Sequence, residues 1–253
     1  MQARISHRGA TYELDLHSPL DISIPLREGL EGVNCFYAPL METSPVRAGD
    51  FVGSTQEGGP VNFLNVRLNP HGNGTHTECV GHIAKEPYSL NQSLIKFHFF
   101  AKLVSVYPTK IENGDRVIFK EQLEALIKPE EVSAIVIRTL PNADTKLRMH
   151  YSGTNPPYLH QESVQYLVDC GVEHLLIDLP SVDKEEDGGK LSAHHAFWQY
   201  PDHVRKNCTI SELIYVPNEI NDGLFLLNLH IASFEIDVSP SKAILYNIRK
   251  IHE

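Results

Sequence analysis

The chain has 253 residues, 42% hydrophobic and 21% charged, with ten Phe, ten Tyr and one Trp; this suits one large folded domain over residues 1–253 and excludes general disorder. Its formal net charge is −10 and its basic residues are scattered, so no stripe exists to neutralise phosphates and nucleic acid is not an expected partner. The four cysteines, Cys35, Cys79, Cys170 and Cys208, form no CxxC pair, which fits reduced thiols and a cytoplasmic setting better than a disulfide scaffold.

The opening, MQARISHRGATYELDLHSPLDISIPL, has no apolar stretch behind its basic residues. Nowhere does an uncharged apolar run reach the roughly 18 residues of a membrane span, so no membrane partner is expected. The next segment, REGLEGVNCFYAPLMETSPVRAGD followed by GSTQEGGP, is rich in Gly, Pro and Asn, which predicts short strands joined by long loops. Such loops often wall a site.

NPHGNGTHTECVGHI, residues 69–83, then gathers His71, His76, Glu78 and His82. In extended backbone His76 and Glu78, at i and i+2, project to the same side, so imidazole and carboxylate can converge on one cation. Glycines at 72, 74 and 81 remove the Cβ bulk that would keep the loop from folding tightly. Imidazole with carboxylate suits zinc, manganese or iron in an open, catalytic site, since closed zinc sites more often use thiolates. Two other readings stand beside this one: a polar loop whose histidines cap turns and face water, and Cys79 as a nucleophile with His82 as its base.

Beyond the cluster, FHFFAKLVSVYP (97–108), SAIVIRTL (133–140) and HLLIDLP (174–180) read as buried strands. FKEQLEALI (119–127) and HQESVQYLVDCG (160–171) carry apolar residues at helical spacing, and the second stops at Gly171, a natural residue to follow a helix. LFLLNLHIASFEIDVSPSKAILYNIRKI (224–251) predicts two long antiparallel strands turning around Ser239–Pro240. The expected fold is α/β, a mixed β-sheet or barrel-like core with few flanking helices. No G-x-S-x-G, P-loop or G-x-G-x-x-G pattern follows a strand, so serine-hydrolase, nucleotide-hydrolase and dinucleotide readings lack their usual residues.

GTHTECVGH resembles the signature H-x-G-T-H-x-D-x-P-x-H of the cyclase family of metal-dependent hydrolases, which includes bacterial kynurenine formamidase and isatin hydrolase. DISIPL (21–26) is similar to that family's opening strand, and TNPPYLHQESVQYLVDCGVEHLLIDLPSVD (154–183) to its helix, strand and Asp-x-Pro-Ser-x-Asp loop. LSAHHAFW (191–198) resembles its later histidine motif, and SELIYV (211–216) its second-half glutamate strand. The likeness runs in the family's order from about residue 14 to 250, and implies the swivelling β/β/α form of the fold.

Carried over position by position, the resemblance makes His76 a metal ligand, puts Glu78 where the family has a metal-bridging aspartate, and makes His82 the proton-transfer histidine. Glu212 would be the remaining carboxylate ligand and His194 the late histidine ligand, with His195 the alternative. The family's first ligand falls on Gly72, with His71 one place earlier, so either the loop bulges by one residue or that ligand is lost. Glu78 is one methylene longer than aspartate, a difference of roughly 1.5 Å, and leaves one or two ions open; the family proline is Val80. The segment HAFWQYPDHVRKNCTISE lengthens the connection to Glu212 and carries Trp198, Tyr200 and His203.

The implied cofactor is a divalent metal, zinc or else manganese, which would lower the pKa of a water it binds from 15.7 to roughly 7 and polarise a carbonyl, with His82 moving the proton. The implied substrate is a small molecule with an amide or formamide bond, N-formylkynurenine in tryptophan catabolism being the template. The alternatives are a cyclic amide or lactone, and a member that has lost turnover and only binds metal and ligand. Asp178 and Asp183 are either anchors for the histidines or residues that turn the chain at Pro180. Phe36, Tyr37, Phe197 and Trp198 are either an aromatic pocket or ordinary core. The resemblance also implies a homodimer or homotetramer, with a neighbour's loops closing the site.

Overall fold

The structure is a computed structural model and describes residues 1–251. Its centre is a closed barrel of strands β1 (His76–Glu78), β2 (His98–Val106), β3 (Ala134–Thr139), β4 (His174–Ile177), β5 (Thr209–Glu212), β6 (Gly223–Ile231) and β7 (Val238–Ile251). β2, β3, β4 and β5 run parallel. β1 lies antiparallel to β5 and also to the first three residues of β7. Residues 241–247 of β7 pair with β6, and β6 with β2, which closes the ring. The hairpin of Gln2–His7 and Ala10–Asp15 extends the sheet from the far end of β7.

The three central parallel strands are apolar or buried at every residue, as strands covered on both faces must be. Alternation divides their side chains between two cores. Ala134, Val136 and Leu176 join Leu103, Phe225, Leu227 and Leu245 on one side. Ile135, Ile137, Leu175 and Ile177 join the helices α1 (Lys120–Glu124), α2 (Gln161–Asp169) and α3 (Ser192–Trp198) on the other. The expected mixed sheet with few helices is therefore a barrel with one helical layer, and α2 ends as its sequence predicts, with Gly171 at φ +82°.

Three boundaries differ from the sequence expectation. The turn between the last two strands lies in residues 232–237, while Ser239 and Pro240 sit inside β7 opposite Thr77 and His76. Proline is tolerated there because β7 is changing partners at that point, from β1 to β6. DISIPL contributes only Asp21 to the two-residue strand Leu20–Asp21, and a bridge from Ser23 to Ile214. SELIYV is strand only through Glu212, because Leu213 takes φ +53° and breaks the extended backbone. No helix among the described residues is long and apolar enough to cross a membrane.

Candidate metal centre

β1 is the floor of the site. His76 and Glu78 project from one side of this strand, and Thr77 projects from the other, where its hydroxyl meets that of Ser211 at 2.7 Å. The register places Glu212 directly opposite His76. His76 Nδ1 faces the Gly74 carbonyl oxygen at 2.9 Å; because a carbonyl only accepts, Nδ1 carries the proton and Nε2 keeps its lone pair. That Nε2 is fully buried, 3.3 Å from Glu212 Oε2, and has no hydrogen-bond partner among the described residues. An unpartnered buried imidazole nitrogen aimed at a carboxylate is costly unless something sits between them.

His71 reaches the same place although it is one residue early. Asn69 caps the short helical turn Pro70–Asn73 by accepting from the Gly72 N–H, and Pro70 starts it. This turn absorbs the extra residue and brings His71 Nδ1 within 3.2 Å of Glu78 Oε2. Gly72 itself cannot bear a side chain, since a Cβ would lie 2.3 Å from that of Ala38. The loop thus bulges by one residue and places His71 beside Glu78.

The second half of the site comes from α3 and β5. His194 is buried, with Nδ1 2.6 Å from Asp183 Oδ2 and Nε2 3.1 Å from Glu78 Oε1 and 3.8 Å from Glu212 Oε1. His195 points away, its ring nitrogen facing the Tyr200 carbonyl at 3.1 Å, so of the two histidines it is His194 that lies beside Glu78. Glu212 Oε1 is held by the Val182 N–H at 2.9 Å. His82 ends the turn Val80–His82 with its ring partly exposed, Nδ1 lying 3.6 Å from Glu78 Oε2. The ring centroid of His82 is 4.5 Å from that of His71 and 5.3 Å from that of His194.

These distances have a pattern. Nitrogen–oxygen separations of 3.1–3.8 Å around Glu78 and Glu212 are longer than the roughly 2.7–2.9 Å of charge-assisted hydrogen bonds, a range that the buried Lys146–Asp178 pair does reach at 2.7 Å. They match instead the spacing of neighbouring ligands that each stand about 2.0–2.2 Å from one shared cation. The donor set of imidazole nitrogens and carboxylate oxygens suits zinc or manganese.

The electrostatics agree. Burial pulls the His71 and His194 imidazoles down, but Asp237 and Glu78 on the first, and Asp183 and Glu78 on the second, push each up to about 10. Burial raises the Glu78 carboxyl, yet His82, His194 and His71 hold it well below the usual carboxylate range. The cluster therefore demands positive charge, which protons or a divalent cation can supply.

A cavity of about 840 Å³ opens onto these groups, walled by Phe36, Leu191 and the loop 184–189 and reaching His71, His82, His194 and Glu212. Other expectations divide. Asp183 anchors His194, whereas Asp178 is tied to Lys146 at 2.7 Å and to the Thr139 N–H, and so is structural. Phe36 lines the cavity, but Phe197 and Trp198 are fully buried core, with the indole N–H donated to the Cys208 carbonyl. Tyr37 is largely exposed, and Tyr200 and His203 do not line the cavity either. Cys79 is no nucleophile: it is buried in the barrel core, its sulfur faces the Tyr88 carbonyl, and burial pushes its thiol up. Sequence reasoning missed Asp237, whose Oδ2 stands 3.3 Å from His71 Nε2 and 3.6 Å from His82 Nδ1. No signal in the sequence marks it, because what brings it to the site is the pairing of its neighbour Val238 with Glu78.

Comparison with known proteins adds ancestry. Residues 20–184 match the family described as "Putative cyclase", which is more than half of the chain. The chain is 25% identical over 193 residues to a kynurenine formamidase of Bacillus cereus, spanning 75% of this chain and 82% of that one. Its fold superposes on isatin hydrolase A from Ralstonia solanacearum with a TM-score of 0.66 at 12% identity, over 90% of this chain and 91% of the other. It likewise superposes on a predicted metal-dependent hydrolase from Bacillus stearothermophilus, with a TM-score of 0.61 at 15% identity over 90% and 98%. The chain belongs to the cyclase family.

Proposed function

We propose that the protein is a metal-dependent hydrolase that cleaves the C–N bond of a small amide, with an arylformamide of the N-formylkynurenine type as the foremost substrate class. The observation that carries this reading is the unpartnered, buried Nε2 of His76 facing Glu212 at the floor of the cavity. His71, His76, Glu78, His194 and Glu212 would hold one or two zinc or manganese ions. Such an ion supplies Lewis acidity for a carbonyl and a source of hydroxide at neutral pH.

The chain's own residues do the rest. His82 stands at the cavity wall, not buried in the floor, so its free ring nitrogen can take a proton from an attacking water and return it to the departing nitrogen. Asp183 and the Gly74 carbonyl fix the tautomers of His194 and His76 with their lone pairs turned inward. Phe36 and Leu191 give an apolar wall against which an aryl group can lie.

Protein purified without chelator should hydrolyse N-formylkynurenine, lose the activity with a strong chelator and regain it with zinc or manganese. Turnover confined to cyclic amides or lactones in a parallel panel would move the substrate class. Failure on every member, with metal bound, would leave a ligand-binding protein and sink the hydrolase reading.

A further inference from the structure

An imidazole that presents one nitrogen to a cation holds that orientation only if its other nitrogen is held too. His76 is held by the Gly74 carbonyl at 2.9 Å and His194 by Asp183 at 2.6 Å. For His71, Nδ1 faces Glu78 and the remaining Nε2 lies 3.3 Å from Asp237 Oδ2. His71 needs this hold most, because its side chain is 25% exposed where those of His76 and His194 are 0% and 2%. Packing encloses the other two rings more completely than this one. We infer that Asp237 is the positioning residue that turns His71 into the cation site and keeps His82 beside it.

The surroundings of Asp237 are built for that task. Its carbonyl accepts from the Cys79 N–H at 3.0 Å and its neighbour Val238 pairs with Glu78, so its carboxylate is registered to the strand that carries His76 and Glu78. Gly81 makes the approach possible, since a Cβ there would lie 2.9 Å from the Asp237 Cβ and 2.5 Å from the Tyr88 carbonyl. Among the described residues its only ion-pair partners are the two imidazoles, His71 and His82; no lysine or arginine competes for it. A carboxylate placed for surface solubility would not be paired so selectively.

This inference rests on the proposed cation site, and one experiment separates the two. The dissociation constant of Zn²⁺ and the number of ions bound at saturation are measured by competition with a chromophoric chelator for wild type, Asp237→Ala and Asp237→Asn. An outer carboxylate that orients a ligand predicts an unchanged number of ions and an affinity weaker by about 10–100-fold in Asp237→Ala. Asp237→Asn should lose less, because its side-chain oxygen still accepts from the His71 N–H. Affinities within about twofold of wild type in both variants would overturn the inference, set against the loss such carboxylates normally cause. One fewer ion at saturation would overturn it too, by making Asp237 a ligand. Wild type that binds no Zn²⁺ would instead remove the site, and the inference with it.

Discussion

Replacing Glu78 by Gln should lower kcat/KM by more than about 100-fold, beyond what the loss of a mere orienting carboxylate costs. Glu78 gathers three imidazoles from both halves of the site: Oε1 lies 3.1 Å from His194, and Oε2 lies 3.2 Å from His71 and 3.6 Å from His82. Gln keeps the volume but removes the charge that gathers three imidazoles, and puts N–H donors where ring nitrogens or a cation need an acceptor. Metal content per chain should fall in parallel with activity. Activity within a few-fold of wild type, with metal retained, would show that Glu78 is packing and not a ligand.

The second large effect is expected at Asp183, on stability as well as on the site. Its two oxygens accept from the Ala193 N–H at 2.7 Å, the His194 N–H at 3.0 Å and the His194 ring at 2.6 Å. It thus caps the start of α3, where Leu191, at φ +45°, has no side chain to do so. Both Asp183 and His194 are buried, so Asp183→Ala strands a buried imidazole and should cost about 3–5 kcal/mol, read by chemical denaturation with chelator present. Asp183→Asn keeps an acceptor for the helix N–H groups and should cost less stability, yet its amide favours the wrong His194 tautomer and weakens cation binding. Equal stability of wild type and Asp183→Ala would contradict this role.

How much of this was legible follows from which interactions are local. Continuous apolar runs such as AIVI at 134–137 announce strands covered on both faces, and the i, i+2 spacing of His76 and Glu78 fixes their shared face. Closure of the barrel was not legible. It depends on Val238–Pro240 pairing with a three-residue strand more than 150 positions earlier, and a Ser-Pro pair in isolation reads as a turn. Asp237 was hidden for the same reason. The aromatic residues stayed open between pocket and core because Phe197 and Trp198 share a helix with His194 but face the core; burial direction on a seven-residue helix needs its neighbours. Two of the departures from the family signature, by contrast, explain each other only in three dimensions. The histidine that comes one place early and the carboxylate one carbon longer meet at 3.2 Å.

The central claim is that His76, His194, His71, Glu78 and Glu212 form a site for a divalent transition metal. Elemental analysis of wild type and His76→Ala, each purified without chelator and then reconstituted with zinc or manganese, tests it most directly. At least one tightly held ion per wild-type chain, and its loss in His76→Ala, is the expected result; wild type that stays free of transition metal after reconstitution would contradict the site.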